Sequence, residues 1–210
     1  ANTYYNGQTV TVLCTSRGLT KMGYTFTGWS LSPGGPVDYV ATDTFAMPAG
    51  PVTLYAQWSS VFAGGDGSLG TPFLISTPNE LNNLRLFPNA HYELTADIDM
   101  NISPYNSGSG WDPIDATFNG SINGNGHIIS NLYINTNATW AGFLGDVEGT
   151  LDLSNLHLSN VNINSTANIV GGLVGYTDSL STVTIDNCSV TGTISGGDSV
   201  GGLVGYDTQS

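Results

Sequence analysis

One heptapeptide, Val-Gly-Gly-Leu-Val-Gly-Tyr, occurs twice without change, at residues 170–176 and 200–206. A looser copy, Ala-Gly-Phe-Leu-Gly, occupies residues 141–145. When the copies are aligned, their glycines fall at the evenly spaced positions Gly142, Gly172 and Gly202. A constant period of this length is typical of solenoids, in which each repeat buries its apolar face only against its neighbours. The period therefore predicts a stack of similar coils.

The composition excludes several classes of function. Charged residues make up 9% of the chain and the formal net charge is −13, with Arg17, Lys21 and Arg85 as the three cations. Binding to nucleic acids, anionic membranes or acidic polysaccharides needs clustered cations, so these partners are disfavoured. The sequence has no apolar run near the length of a membrane span, which predicts no membrane insertion within this chain. Gly and Asn punctuate short runs of Val, Ile, Leu and Thr, which indicates an all-β protein, and the acidic, Lys-poor composition favours an extracellular location.

Residues 1–59 are predicted to form a small β module. Apolar and polar side chains alternate in residues 24–27 and 53–58, which is typical of half-buried strands. Proline and glycine clusters at 33–36 and 48–51 indicate turns. Three aromatic residues are best explained as core of this module rather than as ligand-stacking groups: Trp29, Phe45 and Trp58.

This segment resembles a known family of surface modules. The stretch GYTFTGW, the Met-Pro turn and TLYAQW are similar to the Listeria–Bacteroides (internalin-type) B-repeat. The resemblance covers about residues 3–58 and implies a β-grasp-like fold with mixed β pairing, used as a spacer and interaction unit. The family's opening strand has no counterpart before Ala1, so we expect that strand to lie outside this sequence or to come from another chain.

Residues 60–210 are predicted to form the solenoid. Three segments align with one another, at 129–134, 153–158 and 185–190. In a parallel stack, like residues lie above like residues, so Asn131, Asn155 and Asn187 are predicted to form one ladder of side-chain amides, with Asp97 at the same point in an earlier copy. Alternation then places Leu132, Leu156 and Cys188 inward and Tyr133, His157 and Ser189 outward. Before these repeats, residues 79–87 are predicted to form one or two helical turns capped by residues 77–80.

The solenoid segment resembles the GLUG-motif repeats of bacterial and archaeal surface proteins. Its leading part, with PFLIS, NELNNLR, YELTADIDM and FNGSINGNGHIISNLYI, is similar to the non-catalytic region that precedes such repeats in adhesins and in M26-type immunoglobulin A proteases. The resemblance implies a parallel β-helix with about three strands per coil. At about 25–30 residues per coil, we expect roughly five or six coils.

No residue in the chain is predicted to be catalytic, and we expect that this part of the protein is not an enzyme. A zinc protease is disfavoured because His-Glu-x-x-His is absent and His91, His127 and His157 are scattered. A polysaccharide lyase is disfavoured because Arg85 is the one cation of the segment. A glycosidase needs two carboxylates across a cleft, for which Asp97 with Asp99 or Asp112 with Asp115 could be nominated. Because Ile98 and Met100 fit the core, Asp97 and Asp99 are expected to face solvent or a turn.

Few positions are candidates for binding a ligand. No cofactor or metal ligand is predicted, with calcium left open at residues 65–68 and at Asp97 with Asp99, where oxygen ligands occur. Trp111 and Trp140 are predicted to cover a coil, with exposed sugar-stacking platforms as the alternative. Sequons for N-glycosylation stand at five positions: Asn101, Asn119, Asn137, Asn164 and Asn187. Cys14 and Cys188 lie far apart, and two unpaired thiols are favoured over a disulfide.

Three functional hypotheses follow from the sequence. The first is a non-catalytic extracellular surface protein, either an adhesin stalk or an interaction module, whose partner is a protein or glycan at a cell surface. The second is a self-assembling subunit of a filament or sheath, because an open coil end is a template for a strand of another copy. The third is an accessory region of a secreted protease or glycan-active enzyme.

Overall fold

The structure is a computed structural model that describes residues 3–13, 18–166 and 168–208. Strands account for 49% of the residues and helices for 4%, which confirms the predicted all-β class. The chain divides into two compact units, Ala1–Val61 and Phe62–Ser210. None of the described helices is long and apolar enough to cross a membrane.

The first unit contains two antiparallel strand pairs. Its strands are β1 (Thr9–Thr11), β2 (Tyr24–Ser30), β3 (Thr44–Ala46) and β4 (Tyr55–Ser60), with β1 paired to β3 and β2 paired to β4. Phe26 packs edge-on against Trp29 and Trp58, with ring centroids 5.3 and 5.5 Å apart, and Phe45 packs against Tyr39 at 5.0 Å. These aromatic residues are half-buried, so they hold together a thin module.

The second unit is a parallel β-solenoid. Its strands are β5 (Phe73–Ile75), β6 (His91–Leu94), β7 (Ile98–Asp99), β8 (Ile114–Asn123), β9 (Ile128–Ser130), β10 (Tyr133–Thr136), β11 (Trp140–Ala141), β12 (Leu144–Ser154), β13 (His157–Ser165), β14 (Ile169–Gly171), β15 (Val174–Thr177), β16 (Thr182–Asp186), β17 (Ser189–Ser195), β18 (Ser199–Gly201) and β19 (Val204–Asp207).

The solenoid strands form three sheets. The first sheet runs β5-β6-β8-β12-β15-β19, with β16 also on β12; the second contains β7, β9, β10, β13 and β17; the third runs β11-β14-β18. Strand pairing within the three sheets is parallel. Consecutive turns of the chain therefore lie above one another, as the repeat predicted.

The solenoid makes about four turns, fewer than the five or six expected. The coils also differ slightly in length. Ile122 pairs with Leu153 and Leu153 pairs with Ile185, so the second of these two intervals is longer than the first. The stacking around the glycine column is also less regular than predicted. Ala141 stacks on Val170 and Leu144 stacks on Val174, and the first of these intervals in sequence is shorter than the second. The insertions are absorbed at corners and bulges, so the stacked strands keep their pairing.

The interior of the solenoid is apolar and closely packed. Ile98 and Met100, which the sequence placed in the core, are 1% and 0% exposed. Aliphatic side chains from all three sheets meet there, and each is at most 2% exposed: Ile114, Ile122, Ile129, Leu132, Ile134, Leu151, Leu153, Leu156, Leu158, Val161, Ile163, Val170, Leu173 and Val174. Stacking like residues over like residues makes this core continuous along the coils.

A short helical segment precedes the coils, as predicted. Helix α1 (Pro78–Asn82) leads directly into a 3₁₀ helix (Asn83–Leu86). The Thr77 hydroxyl accepts a hydrogen bond from the Glu80 N–H at 3.3 Å, and the Glu80 carboxylate accepts one from the Ser76 N–H at 2.8 Å. Leu81 and Leu84 are fully buried, so the cap fixes where the helix starts and the leucines fix which face packs.

Candidate functional site

Asparagine side chains stack at the corner between the first and second sheets. Asn187 Nδ2 donates to Asn155 Oδ1 at 2.8 Å, and Asn155 Nδ2 donates to Asn123 Oδ1 at 3.1 Å. Asn155 and Asn187 both have φ of 49°, a left-handed conformation that Asn tolerates better than most residues. The predicted stacking of Asn155 with Asn187 is confirmed, and Asn123 extends the ladder by one coil.

Asn131 belongs to a different ladder, so the prediction of a single column was wrong. Its Nδ2 donates to Asp99 Oδ1 at 2.7 Å, and its Oδ1 accepts from Asn160 Nδ2 at 2.7 Å. The hydrogen bond from the Asn131 amide is the main cause of the lowered pKa of the Asp99 carboxyl. The hydrogen bond from the Asn101 N–H lowers this pKa further. This second ladder lies within the second sheet, with Asn131 between β9 and β10 and Asn160 in β13.

The wrong alignment has a geometric cause. Asn123 pairs with Ser154 and Ile128 with His157, so the chain between the paired positions is longer in one coil than in the next. Residues 129–134 therefore stack on residues 158–163 of the following coil, and not on residues 153–158, which they resemble in sequence. Asp97, which was assigned to the ladder, instead accepts hydrogen bonds from the Ile128 N–H at 3.0 Å and from His127 at 3.2 Å.

The predicted inward and outward faces are largely confirmed. Leu132 and Leu156 are fully buried, while Tyr133 and His157 are partly exposed. Cys188 is a free thiol and only half-buried, because it lies in the last described coil. Its Sγ lies 3.2 Å from the Asp186 carbonyl oxygen, and burial raises the pKa of the thiol. Cys14 lies outside the described residues.

A polar depression of about 390 Å³ opens on the outer surface of the second sheet. Its lining consists of five asparagines and one tyrosine: Asn101, Asn106, Asn131, Tyr133, Asn160 and Asn162. The second ladder supplies Asn131 and Asn160, and Asn106 Nδ2 donates to Asn101 Oδ1 at 3.3 Å across the facing loop. The lining side chains carry no charge, so this is a concave, neutral, hydrogen-bonding surface.

The two predicted tryptophans have different environments. Trp111 is fully buried, donates its Nε1–H to the Phe143 carbonyl at 2.9 Å and stacks on the Phe143 ring at 5.4 Å. Trp140 is half-buried and stacks on Tyr176 at 5.5 Å, and Tyr176 stacks on Tyr206 at 6.2 Å. Trp111 is therefore not an exposed platform, whereas Trp140 lies at one end of a stacked aromatic column in which Tyr176 covers one face of its ring.

Carboxylates cluster on the first sheet around a second depression of about 240 Å³, lined by Asp115, Ala116, Thr117, Asp146 and Glu148. The Asp146 N–H donates to Asp115 Oδ1 at 2.8 Å, and Thr117 donates to Glu148 at 2.8 Å. Asp146 Oδ1 is buried and has no hydrogen-bond partner among the described residues. Burial and the neighbouring carboxylates Glu148, Asp115 and Asp178 raise the pKa of Asp146.

The nominated catalytic groups are dispersed, each with its own partner. Arg85 lies 3.4 Å from the Asp112 carboxylate and 5.4 Å over the Trp111 ring, while Asp115 accepts from the Asp146 N–H. Three histidines contact three different residues: His91 with Ser121, His127 with Asp97 and His157 with Ser189. The structure therefore does not assemble the nominated residues into one centre.

The nominated calcium positions have local structural roles. Asp66 Oδ1 accepts the Ser68 N–H at 3.0 Å, and hydrogen bonds from Ser68 lower the pKa of Asp66. The hydrogen bond from the Ile128 N–H is the main cause of the lowered pKa of Asp97, and the hydrogen bond from His127 is the second cause. Across the described parts of the chain, no three His, Cys, Asp or Glu side chains are grouped so as to hold a metal ion.

Sequence reasoning missed the neutral depression. Asn106, Asn160 and Asn162 were not singled out, and Asn101 was noted only as a sequon. The signal that could have revealed it is the pattern Asn160-Val-Asn162-Ile-Asn164, in which alternate residues face outward. The facing loop could not have been placed from sequence, because its position depends on the antiparallel bridge between Gly110 and Ile134.

The antiparallel pairs and half-buried aromatic cluster of the first unit accompany a match to a known family. Residues 1–62 match the family model of the divergent InlB B-repeat domain. This confirms the predicted resemblance for the first unit, and we refer to it as the B-repeat domain. The assignment of the solenoid coils to GLUG repeats stays a prediction.

Two curated proteins are similar to most of the chain. Halomucin of Haloquadratum walsbyi is 33% identical over 189 residues, covering 81% of this chain and 2% of halomucin. A protein of Evansella cellulosilytica, named as a Gly-rich membrane protein, is 36% identical over 140 residues, covering 63% of this chain and 16% of that protein. The chain thus spans a small part of either relative.

A solved structure is similar in fold to most of this chain. It is a crystal structure of a Bacteroides ovatus protein assigned as an immunoglobulin A1 protease, with 25% sequence identity and a TM-score of 0.53. The match covers 72% of this chain and 48% of that chain. Together with the B-repeat domain, these relatives indicate a surface protein.

Proposed function

We propose that this chain is a non-catalytic part of an extracellular surface protein, with the solenoid acting as a stiff spacer that presents regular columns of side chains. The observation that carries this proposal is the uninterrupted parallel stack of coils with hydrogen-bonded side-chain ladders along its outside. Deforming such a stack breaks many backbone hydrogen bonds together, which makes it resist bending. The relatives named halomucin and membrane protein support the surface location.

Surface exposure can be tested with antibodies raised against residues 62–208. We expect intact cells of the natural source to be labelled, and mild protease treatment of those cells to remove the label. Labelling that needs permeabilised cells would contradict the proposal. A cytoplasmic protein probed in parallel verifies that the cells stay intact.

The non-catalytic role can be tested separately, because one structural relative is assigned as a protease. We expect the purified chain to leave immunoglobulin A1 and neutral or acidic polysaccharides uncleaved. If cleavage occurs and Asp115→Asn or Asp146→Asn abolishes it, the acidic depression on the first sheet is catalytic and the proposal is wrong.

Self-assembly is a second candidate function, and the last described coil supports it. Val200 and Tyr206 are each 47% exposed, and the apolar side chains of β16 and β17 are only half-buried. A coil edge of this kind pairs with a further coil, and self-assembly is the case in which that coil belongs to another copy. We expect filaments in negative-stain micrographs at high protein concentration and their loss in Val200→Glu. Monodisperse short rods in the unmodified chain would contradict self-assembly.

A further inference from the structure

The neutral depression on the second sheet has a wall held in place by the backbone. Residues 109–111, which end the loop that begins at Asn101, run alongside β10. There Trp111 N–H donates to the Tyr133 carbonyl at 2.8 Å and Asn135 N–H donates to the Ser109 carbonyl at 2.9 Å. At Gly110, φ is 71° and an added Cβ would lie 2.1 Å from the Tyr133 oxygen. The end of the loop nearest Trp111 is therefore fixed against β10.

The ladder orients the amides at the rim of this depression. Asp99 accepts from Asn131, and Asn131 accepts from Asn160, so each amide points its nitrogen towards the preceding coil. The amide oxygen of Asn160, at the end of this chain of bonds, accepts no hydrogen bond from the described residues. An oriented amide with spare donor and acceptor capacity can bind a ligand without a large loss of side-chain entropy.

Two further polar groups in the depression have no hydrogen-bond partner among the described residues. They are the side-chain amide of Asn162, which is exposed, and the hydroxyl of Tyr133, which is half-buried. Tyr133 and Asn162 are register partners on neighbouring strands, so their side chains stand next to each other on one face. The pair combines an aromatic ring with a bidentate hydrogen-bonding group.

We propose that this depression binds a neutral saccharide, and the proposal rests on the surface role given above. Amide side chains both donate and accept, which suits adjacent sugar hydroxyls, and a tyrosine ring packs against the apolar face of a pyranose. A volume of about 390 Å³ suits one or two sugar rings. No cation lines the depression, and the Asp99 carboxylate lies behind its ladder, so glycans carrying carboxylate or sulfate groups are repelled.

The test is a titration of the whole chain with sugars, followed by saturation-transfer NMR and calorimetry. The probes are methyl glycosides of glucose, galactose, mannose and N-acetylglucosamine, with methyl glucuronide and sialyllactose as anionic counterparts. Asn162→Ala removes a lining amide that bonds to no described residue. Asn164→Ala is the control on the same strand, because Asn164 is exposed and lies outside the depression, where it bonds to Asn135 and Ser195.

We expect at least one neutral glycoside to bind saturably, and the anionic probes to bind more weakly or not at all. Asn162→Ala should weaken binding about five- to tenfold, the loss expected for one or two hydrogen bonds, while Asn164→Ala leaves it unchanged. The proposal is overturned if no neutral glycoside binds at millimolar concentration, if both variants lose binding equally, or if anionic sugars bind best. Surface labelling of intact cells is measured independently, so failure of the saccharide site leaves the surface role standing.

Discussion

The two identical heptapeptides, residues 170–176 and 200–206, share their sequence and strand pairing but not their burial. Val170 pairs with Val200, and Val174 with Val204. Val170 is fully buried, whereas Val200 is 47% exposed. The same residues therefore form the same corner in both coils, but they enter a closed core only where another coil lies on top. In this solenoid the repeat sequence determines the local backbone conformation, whereas packing against the neighbouring coil supplies the stabilisation.

The glycines of the heptapeptide show the same contrast. An added Cβ on Gly172 would lie 2.3 Å from the Gly202 carbonyl oxygen and 2.8 Å from a Val190 methyl group. An added Cβ on Gly202 would meet nothing within 4 Å. At the second glycine of the heptapeptide, glycine is thus required by the close approach of the next coil. At the first glycine the corner itself requires it, because an added Cβ would lie 1.9 Å from the Val174 carbonyl oxygen in Gly171 and 1.7 Å from the Val204 carbonyl oxygen in Gly201.

The largest effect is expected from shortening the core leucine of each heptapeptide. Leu173→Ala should cost about 2–5 kcal/mol of unfolding free energy, because Leu173 is fully buried and its loss leaves a cavity. Leu203→Ala should cost clearly less, since Leu203 is only half-buried. Urea unfolding followed by circular dichroism gives the midpoint of each variant. Equal losses of stability would contradict the claim that Leu173 is more stabilising because the next coil covers it.

Adding a methyl group to the two equivalent glycines should separate the coils more cleanly. Gly172→Ala is expected to destabilise by about 1–3 kcal/mol, because the coil above must shift to accept the Cβ. In Gly202→Ala the Cβ enters open space, so the thermal midpoint should stay near that of the unmodified chain. A similar drop in both variants would show that the corner conformation, and not coil stacking, requires glycine.

The first asparagine ladder offers a smaller test. Asn155 makes hydrogen bonds to both neighbouring coils, whereas Asn187 makes one, to Asn155. At about 1 kcal/mol per hydrogen bond, Asn155→Ala should lose about 1 kcal/mol more stability than Asn187→Ala. Both positions have φ of 49°, so the left-handed strain is matched and Asn→Gly at each site controls for it. Equal losses in urea unfolding would mean that the ladder adds little beyond backbone conformation.

The smallest effect concerns the raised pKa of Asp146. The folded-state pKa lies above the ordinary value of 3.8, so the folded protein binds this proton more readily than the unfolded chain. This contribution favours folding in acid and is lost as pH rises through the raised pKa. Asp146→Asn should therefore raise the urea midpoint at neutral pH, with the gain disappearing in acid. Asp152→Asn, an exposed change on the same strand, should leave the midpoint unchanged, and an Asp146→Asn gain that does not depend on pH would contradict the electrostatic cause.

Much of the fold followed from patterns in the sequence. The evenly spaced heptapeptide predicted stacked parallel coils, alternation predicted that Leu132 and Leu156 face inward, and Thr77 with Glu80 predicted the helix start. These features depend on neighbours in sequence or on a simple period, so no long-range information was needed. The predicted helix turns, core residues and stacking of Asn155 with Asn187 are confirmed.

The predictions that failed depend on how one coil is placed upon the next. The turn at Asn123–Ile128 is longer than its counterpart before His157, and this length difference moves Asn131 into a separate ladder. The sequence predicted that Trp111 covers a coil, but its partner, the Phe143 carbonyl in the following coil, could be identified only from the structure. Neither outcome can be predicted from a segment considered alone.

By itself, the sequence determined the kind of structure: parallel coils of nearly constant period, glycine corners, an apolar interior and an outer face of amides and short polar side chains. Periodicity is enough for this, because each coil repeats the same local interactions. The tertiary structure alone decided which amides share a ladder, which heptapeptide is buried and where loop 101–110 forms the neutral depression. These outcomes require contacts between residues a whole coil apart in sequence, and a small shift in register at a corner redirects all of them.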